Sequence, residues 1–207
     1  SRGQERYYVR GTFTRNNLDF SEDVLHLADL GFKQISVEPV VGKEDDPYAL
    51  QESDLPELEA EYERLAEYLK DHPETNFFHF NVDLAQGPCV IKRLRGCGAG
   101  CEYVAITPEG DIYPCHQFVG NEDYKLGSLY DGTFDKELSG RFAGLNIYTR
   151  EECRDCWARF YCSGGCSASN LLVNGDIKKP HRVGCELERK RLECAIALRA
   201  IAAGMAE

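Results

Sequence analysis

The sequence predicts an α/β fold in which one side of a larger α/β barrel is followed by a small cysteine-rich domain with a β-hairpin and helices. Two observations predict this fold. The elements before residue 90 follow the order β-α-β-α-β, and all ten cysteines lie from Cys89 onward. Strands separated by helices pair in parallel through right-handed crossovers. Three such strands cannot close a barrel and would leave long unpaired edges, so we expect other strands to complete it.

Three short segments rich in aromatic and β-branched residues are predicted to be the strands. They cover residues 7–14, 33–38 and 76–84. In α/β barrels the chemistry lies at the C-terminal ends of the strands. The polar side chains at those ends are Thr12, Thr14, Glu38, Asn81 and Asp83. Among them, Glu38 is a candidate catalytic residue.

Two amphipathic helices are predicted between these strands. The first begins at Ser21, a residue type preferred at helix N-termini, and ends at Gly31. The second begins near Pro56, and its apolar residues recur with the helical spacing of about 3.6. Those residues are Leu58, Tyr62, Leu65, Ala66 and Leu69.

The cysteine-rich half is predicted to contain a hairpin and two helices. Residues 102–115 alternate on both sides of a Pro-Glu-Gly-Asp turn, which is typical of a β-hairpin. Residues 134–145 are predicted to form a short amphipathic helix. Residues 185–204 are predicted to form a final helix with Cys194 on its apolar face, so we expect that thiol to be buried and inert.

The cysteines fall into two groups with spacings typical of metal sites. One group has the spacing C-x2-C-x5-C-x3-C over residues 153–166, and the other brackets the hairpin and is followed by Cys185. Disulfides are disfavoured because nothing in the chain indicates secretion. Structural zinc and iron–sulfur clusters both take four cysteine thiolates at such spacings. Aromatic residues between the cysteines and the pair Gly164-Gly165 favour iron–sulfur clusters, with zinc as the alternative.

The composition excludes several classes of protein. A net charge of −11 and a pI near 5.0 argue against a nucleic-acid partner, whose phosphates are bound by Lys and Arg. No apolar run reaches the roughly 18 residues of a membrane span. The chain also starts without the apolar segment of a signal peptide. We therefore expect a cytoplasmic protein that has no membrane partner.

The full cysteine pattern resembles that of a known family. It runs Cys97-x12-Gly110-x4-Cys115, then Cys153-x2-Cys156-x5-Cys162-x3-Cys166, then Cys185. This pattern is similar to the signature of the SPASM domain, the C-terminal extension of many radical S-adenosylmethionine enzymes that modify peptides. The segments YYVRGTFT, QISVEPVVG, GCGAGCEYVAITPEGDIYPCHQFVG and CWARFYCSGGC are more particular. They resemble the maturases of SCIFF peptides, which form thioether cross-links.

The resemblance covers essentially the whole chain and implies its domains and ligands. Residues 1–95 resemble the second half of a partial (β/α)6 radical S-adenosylmethionine barrel, and residues 96–207 resemble a SPASM domain with two auxiliary four-iron four-sulfur clusters. By this resemblance the inner cluster takes Cys97, Cys115 and Cys166, with Cys101 as a candidate fourth ligand. The outer cluster takes Cys153, Cys156, Cys162 and Cys185. Candidate contacts to S-adenosylmethionine, on the strand that faces it in this superfamily, are Arg10, Thr12 and Thr14.

Three features depart from the family pattern. The C-x3-C-x2-C motif, which in the family binds the four-iron four-sulfur cluster that cleaves S-adenosylmethionine, does not occur, and the only methionine is Met205. We therefore expect the motif on an N-terminal half of the same polypeptide. His116 follows the hairpin cysteine, at the position where sulfatase-maturing relatives have Asp. It is a candidate proton donor or acceptor in the reaction. The alternative is that it only forms a hydrogen bond beside the cluster. The gap from Cys97 to Cys101 is short, which favours an inner cluster with an open iron site.

The resemblance implies that the chain is the C-terminal part of an oxidoreductase that joins a Cys sulfur of a ribosomally made precursor peptide to an α-carbon. The implied partners are that peptide, the N-terminal half of the polypeptide, and a reductant such as flavodoxin or ferredoxin. Without the N-terminal half, the chain is expected to be inactive. Two alternatives stay open from the residues: a stand-alone iron–sulfur electron-transfer module, and a zinc-stabilised module that binds peptides.

Overall fold

The computed structural model describes residues 7–82 and 94–205 and divides the chain into two compact units. The first unit comprises Ser1–Gly87 with Arg182–Glu207, and the second unit comprises Pro88–His181. The final helix, which the sequence analysis assigns to the cysteine-rich domain, therefore belongs to the first unit here. The boundaries 1–95 and 96–207, as functional domains, stay a prediction.

The first unit contains a three-stranded parallel sheet in the order β1-β2-β3. The strands are β1 (Val9–Phe13), β2 (Gln34–Pro39) and β3 (Asn76–Phe77). The helices between them are α1 (Phe20–Asp29) and α2 (Leu55–Asp71). Val9 pairs with Ile35 and Ile35 with Phe77, both in parallel. The predicted β-α-β-α-β order with parallel strands is thus confirmed.

The prediction that Ser21 begins the first helix was wrong by one residue, and the reason is a tertiary contact. Helix α1 begins at Phe20, and Ser21 is buried within its first turn. The Ser21 hydroxyl donates a 2.5 Å hydrogen bond to Glu61 of α2 instead of capping the helix. The predicted end of the helix is confirmed. Gly31 has a φ of 89°, a backbone conformation that residues other than glycine rarely adopt.

The third strand is shorter than predicted. It ends at Phe77, and a single 3-10 turn covers Phe78–Phe80. His79 and Phe80 are both buried, whereas Phe78 is half exposed. A strand turns successive side chains to opposite faces, so it cannot bury two adjacent residues on one side. Asp83 lies outside the described residues, and so does Cys89.

The core of the first unit lies between the sheet, its two helices and the C-terminal helix α6 (Arg182–Ala202). Phe13 stacks on Phe20 with ring centroids 4.5 Å apart, and both rings are completely buried. Cys194 of α6 is part of this core, which confirms the prediction that its thiol is buried. Burial raises the pKa of the Cys194 thiol to about 11, so it stays protonated near neutral pH.

The second unit contains a four-stranded antiparallel sheet in the order β4-β5-β6-β7. Its strands are β4 (Ala105–Ile106), β5 (Asp111–Tyr113), β6 (Gly127–Ser128) and β7 (Thr133–Phe134). The predicted hairpin is confirmed as β4 and β5, whose turn is closed by hydrogen bonds between Thr107 and Asp111 and between Gly110 and Thr107. The sequence analysis did not predict β6 and β7, because strands of two residues carry no periodic pattern.

Three further helices of the second unit have both ends within the described residues. They are α3 (Lys136–Ala143), α4 (Arg159–Cys162) and α5 (Ser167–Asn174). Helix α3 was predicted, and the Asp135 carboxylate caps it by accepting a hydrogen bond from Leu138 N at 2.8 Å. Helices α4 and α5 were not predicted and flank a left-handed loop at residues 163–165.

In the part of the chain that the structure describes, no helix is both long enough and apolar enough to cross a membrane.

Candidate functional site

Three cysteines that are far apart in sequence share one neighbourhood of the second unit, and we call them the inner group: Cys97, Cys115 and Cys166. Cys115 follows strand β5 directly, and Cys166 immediately precedes helix α5. Burial raises the pKa of the Cys115 thiol, and the nearby charges of Cys166 and Cys97 raise it further. The fold therefore brings together the three residues that the family resemblance implies as inner-cluster ligands, and their role as ligands stays a prediction.

Tyr103 adds a hydrogen-bond donor to the inner group. Its hydroxyl lies 3.9 Å from Cys97 Sγ, and it donates to that sulfur. Burial raises the pKa of Tyr103, and the charge of Cys97 beside it raises it again, so the phenol keeps its proton. The sequence analysis missed this residue; its position between Cys101 and strand β4 is the only signal that the sequence offers.

The Cys101 thiol forms its hydrogen bond with the backbone of its own turn. Its thiol donates to the carbonyl oxygen of Gly98 at 3.4 Å. The same carbonyl accepts hydrogen bonds from the backbone N–H groups of Cys101 and Glu102, so this is a tight turn. Burial, followed by the charge of Glu102, raises the pKa of the Cys101 thiol. In this structure the turn fixes the Cys101 sulfur by a local contact.

A second set of thiols, which we call the outer group, lies on the segment before the left-handed loop: Cys153, Cys156 and Cys162. Cys153 ends a 3-10 turn and is buried, and Cys162 is the last residue of helix α4. The backbone N–H of Cys156 donates to the Cys153 carbonyl at 3.2 Å, which keeps these two residues in one turn. Cys185, the implied fourth ligand, belongs to helix α6 of the first unit, and its part in this group stays a prediction.

Arg150 is buried beside both groups, with 2% of its surface exposed. Its guanidinium donates to the carbonyl oxygens of Gly164 and Ile177 and to the hydroxyl of Ser167, at 2.7 to 3.3 Å. Burial lowers the pKa of Arg150, and the charges of four cysteines oppose that change. Those cysteines are Cys153, Cys162, Cys166 and Cys97. The sequence analysis did not single out this arginine.

The donor set fits an iron–sulfur cluster. Among residues 7–82 and 94–205, no three His, Cys, Asp or Glu side chains are arranged to hold one metal ion. In a four-iron cluster each thiolate binds a different iron atom, so the ligands need not converge on one point. Both groups consist of thiols, and the buried Nε of Arg150 has no hydrogen-bond partner within the described residues. A cluster held here would present thiolate and sulfide acceptors to such a donor.

A separate polar network lies on the parallel sheet of the first unit. Glu38 accepts hydrogen bonds from the Ser36 hydroxyl at 2.7 Å, from His79 Nε2 at 2.5 Å and from Arg10 Nη2 at 3.4 Å. Burial alone would raise the pKa of Glu38, but the hydrogen bond and charge of His79, together with the Ser36 hydrogen bond and the Arg10 charge, outweigh burial and lower the pKa to about 2. Glu38 is therefore ionised and already paired, which suits a residue that anchors its neighbours.

The remaining predicted residues have simpler surroundings. Thr12 is exposed on the same strand face as Arg10, because alternate residues of a strand share a face. Thr14 has its hydroxyl 2.8 Å from Asn17 Oδ1 and is used in the turn after β1. His116 is exposed at the start of the 3-10 turn that follows Cys115. The structure thus brings Arg10 and Glu38 together and leaves Thr14 in a local turn.

Residues 97–157 match the family model of the SPASM iron–sulfur cluster-binding domain. This part of the chain is similar to that domain. It contains the hairpin and the cysteines that surround it, together with the first two members of the outer group.

About half of the chain matches curated relatives. An uncharacterised protein of Archaeoglobus fulgidus is 31% identical over 101 residues, which are 47% of this chain and 24% of that protein. The PqqA peptide cyclase of Xanthomonas axonopodis pv. citri is 28% identical over 102 residues, 46% of this chain and 27% of the cyclase. The PqqA peptide cyclase of Methylorubrum extorquens PA1 is 27% identical over 105 residues, 46% of this chain and 26% of the cyclase. The match thus spans about a quarter of each relative's length.

The fold as a whole is similar to solved structures of anSMEcpe. The structure of native anSMEcpe with bound AdoMet covers 96% of this chain and 57% of that protein, with a TM-score of 0.67 and 17% identity. The structure with bound AdoMet and the Kp18Cys peptide gives a TM-score of 0.68 at 18% identity, over 96% of this chain and 58% of that protein. The predicted fold class, a parallel α/β part followed by a small cysteine-rich SPASM part, is confirmed by this similarity.

Proposed function

We propose that this chain is the C-terminal part of a radical S-adenosylmethionine peptide maturase of the SCIFF type, which forms thioether cross-links from a Cys sulfur to an α-carbon. The SPASM match over residues 97–157 carries the proposal. Two kinds of relative support it: PqqA peptide cyclases by sequence, and anSMEcpe with bound AdoMet and peptide by fold.

In this proposal the inner group holds one auxiliary four-iron four-sulfur cluster, and the outer group holds a second one together with Cys185. Such clusters, when bound, supply one-electron redox chemistry and iron atoms that can hold a thiolate. Cys101 is not a ligand in this proposal, because its thiol is engaged with the Gly98 carbonyl. The inner cluster then keeps an open iron site beside Cys97, Cys115 and Cys166.

The sheet face of the first unit is proposed to contribute to cofactor binding. Arg10 and Thr12 contact S-adenosylmethionine, and Thr14 supports the turn that follows the strand. Glu38 positions Arg10 through the 3.4 Å ion pair and is itself held by His79. His116, exposed beside the inner group, takes the proton of the substrate thiol. The third cluster, which binds S-adenosylmethionine, lies on the N-terminal half of the polypeptide.

The proposed reaction balances without a further oxidant. One S–H and one Cα–H bond of the peptide break and one S–C bond forms, so the peptide loses two electrons and two protons. Cleavage of one S-adenosylmethionine to methionine and 5′-deoxyadenosine takes up two electrons and one proton, and one proton is released. A reductant such as flavodoxin or ferredoxin supplies only the initiating electron.

The decisive experiment uses the longer polypeptide that contains this chain and a C-x3-C-x2-C half. It is prepared anaerobically and incubated with S-adenosylmethionine, a reductant and a Cys-containing precursor peptide. We expect a product that has lost two hydrogen atoms and whose cysteine no longer reacts with an alkylating agent, as measured by mass spectrometry. A peptide with Ser in place of Cys is the control and should stay unchanged.

The same preparation separates the alternatives. Iron and acid-labile sulfide in equal amounts are expected. Stoichiometric zinc without sulfide would contradict cluster binding and favour the zinc-stabilised peptide-binding module. Loaded clusters with no change in the mass of the peptide would contradict the thioether reaction and favour an electron-transfer module.

A further inference from the structure

Arg150 is an unusual residue because its permanently charged side chain is almost completely enclosed and has no carboxylate partner among residues 7–82 and 94–205. Only 2% of its surface is exposed. Within the described residues its guanidinium donates to neutral groups, namely the Gly164 carbonyl, the Ser167 hydroxyl and the Ile177 carbonyl. None of the ion pairs within the described residues includes Arg150.

An enclosed guanidinium needs an opposite charge, because neutral hydrogen bonds do not replace the hydration that a cation loses. Arginine cannot escape this cost by losing its proton at physiological pH. Cysteines from both groups lie near enough for their charges to act on Arg150: Cys153 and Cys162 of the outer group, and Cys166 and Cys97 of the inner group. Free thiols near neutral pH are mostly protonated and supply little charge, whereas thiolates bound to iron are negative.

The geometry also aims the guanidinium at the segment that joins the two groups. Residues 163–165 all have positive φ values, and this loop connects Cys162 to Cys166. Arg150 Nη1 holds the Gly164 carbonyl at 2.7 Å, while its Nε is buried without a partner in the described part of the chain. One edge of the side chain is therefore fixed to the loop, and one N–H remains available for a sulfur acceptor.

We propose that Arg150 is the fixed counter-charge of the cluster-bound thiolates and that it raises the reduction potential of the clusters. The inference rests on cluster binding by this domain, as given under the proposed function. One-electron reduction adds a negative charge to a cluster, and a nearby cation stabilises that extra charge. An enclosed cation acts more strongly than an exposed one, because solvent screens it less.

The test compares four anaerobically reconstituted forms of the 207-residue chain: wild type, Arg150→Gln, Arg150→Lys and Arg154→Gln. Arg154 is the matched control, because it lies next to Cys153 but is exposed and donates to the Tyr148 carbonyl at 2.9 Å. Iron and sulfide content are measured first, and midpoint potentials then come from redox titrations monitored by electron paramagnetic resonance. We expect Arg150→Gln to shift at least one potential in the negative direction by about 59 mV or more. That shift is a tenfold change in the equilibrium of a one-electron couple.

The lysine variant separates charge from hydrogen-bond geometry. If charge is the cause, Arg150→Lys stays closer to wild type than to Arg150→Gln, and Arg154→Gln is unchanged. Wild-type potentials in Arg150→Gln would overturn the proposal, and so would an equal shift in both Arg150 variants. If Arg150→Gln loses its clusters, wild-type iron content in Arg150→Lys supports the proposal, and loss of iron from both variants overturns it. Iron and sulfide in the wild-type chain show that the domain binds clusters. A failure of the Arg150 proposal can therefore be distinguished from a failure of the proposed function.

Discussion

His79 Nε2 lies 2.5 Å from Oε2 of Glu38, and this contact joins the 3-10 turn after the third strand to the C-terminal end of the second strand. The two residues are 41 positions apart. His79 is buried, whereas the Glu38 side chain keeps 30% of its surface exposed. The pair therefore links a buried imidazole to a carboxylate side chain that is partly exposed.

Replacing Glu38 by Gln is expected to destabilise the first unit at neutral pH. The change leaves His79 and Arg10 without the carboxylate that they share. Loss of one partner of a buried polar contact costs about 1–3 kcal/mol in the free energy of unfolding. Urea unfolding at pH 7 measures this cost. Glu44→Gln is the control, because Glu44 is exposed and should change the free energy by less than about 0.5 kcal/mol.

The effect of Glu38→Gln should also depend on pH. The pKa of Glu38 is lowered from 4.5 to about 2, so its contribution is fully present above pH 4.5 and is lost as the pH falls toward 2. The free-energy difference between wild type and variant should therefore shrink over that range. A difference that stays constant from pH 7 to pH 3 would contradict the role of the ionised carboxylate.

Two glycines with left-handed backbone allow a matched comparison around Arg150. A Cβ on Gly164 would lie 2.0 Å from Arg150 Nη1, whereas a Cβ on Gly175 would meet nothing within 4 Å. Their φ values are 93° and 71°, so alanine costs about 1–2 kcal/mol at either position from the backbone alone. We expect Gly164→Ala to lose at least about 1 kcal/mol more than Gly175→Ala, because the guanidinium must also move. If urea unfolding gives the same loss of unfolding free energy for both variants, the Arg150 side chain can move away from the new Cβ without a measurable cost.

Cys101 can be tested by iron content. Cys101→Ala is expected to keep the iron and sulfide of the wild type, because its thiol is directed to the Gly98 carbonyl. Cys115→Ala should lose the inner cluster, since Cys115 is buried beside Cys97 and Cys166. Cys194→Ala is the control for a buried thiol outside both groups and should keep its iron. Loss of iron from Cys101→Ala would identify Cys101 as a ligand and exclude the open site.

The chain as printed should not cleave S-adenosylmethionine. Its ten cysteines include no C-x3-C-x2-C triplet, which the family resemblance implies for that reaction. Under reducing conditions we expect no 5′-deoxyadenosine by liquid chromatography, even when the auxiliary clusters are loaded. Formation of 5′-deoxyadenosine by the 207-residue chain alone would mean that another cluster carries out the cleavage.

Local patterns in the sequence were sufficient for several elements. The apolar period over residues 58–69 predicted helix α2, Gly31 predicted the end of α1, and the turn at residues 108–111 predicted the β4–β5 hairpin. The alternation of strands and helices was enough for parallel pairing. These properties depend on neighbours within a few residues, so they can be read before any tertiary contact is known.

The predictions that failed, and the residues that were missed, depend on distant partners. Ser21 is not a cap because Glu61 takes its hydroxyl, and the third strand ends early because His79 turns toward Glu38. Only the structure shows that Tyr103 and Arg150 lie near Cys97 and therefore beside the candidate metal centre.

The sequence by itself determined the β-α-β-α-β order of the first unit and, through the spacing of its cysteines, a resemblance to the SPASM domain, whose family model matches residues 97–157. Only the tertiary structure decided which charges face each other: Glu38 with His79 and Arg10, and Arg150 with thiols from two segments. Cysteine spacing is a property along the chain, whereas compensation of a buried charge depends on distances through space between residues that are far apart in sequence.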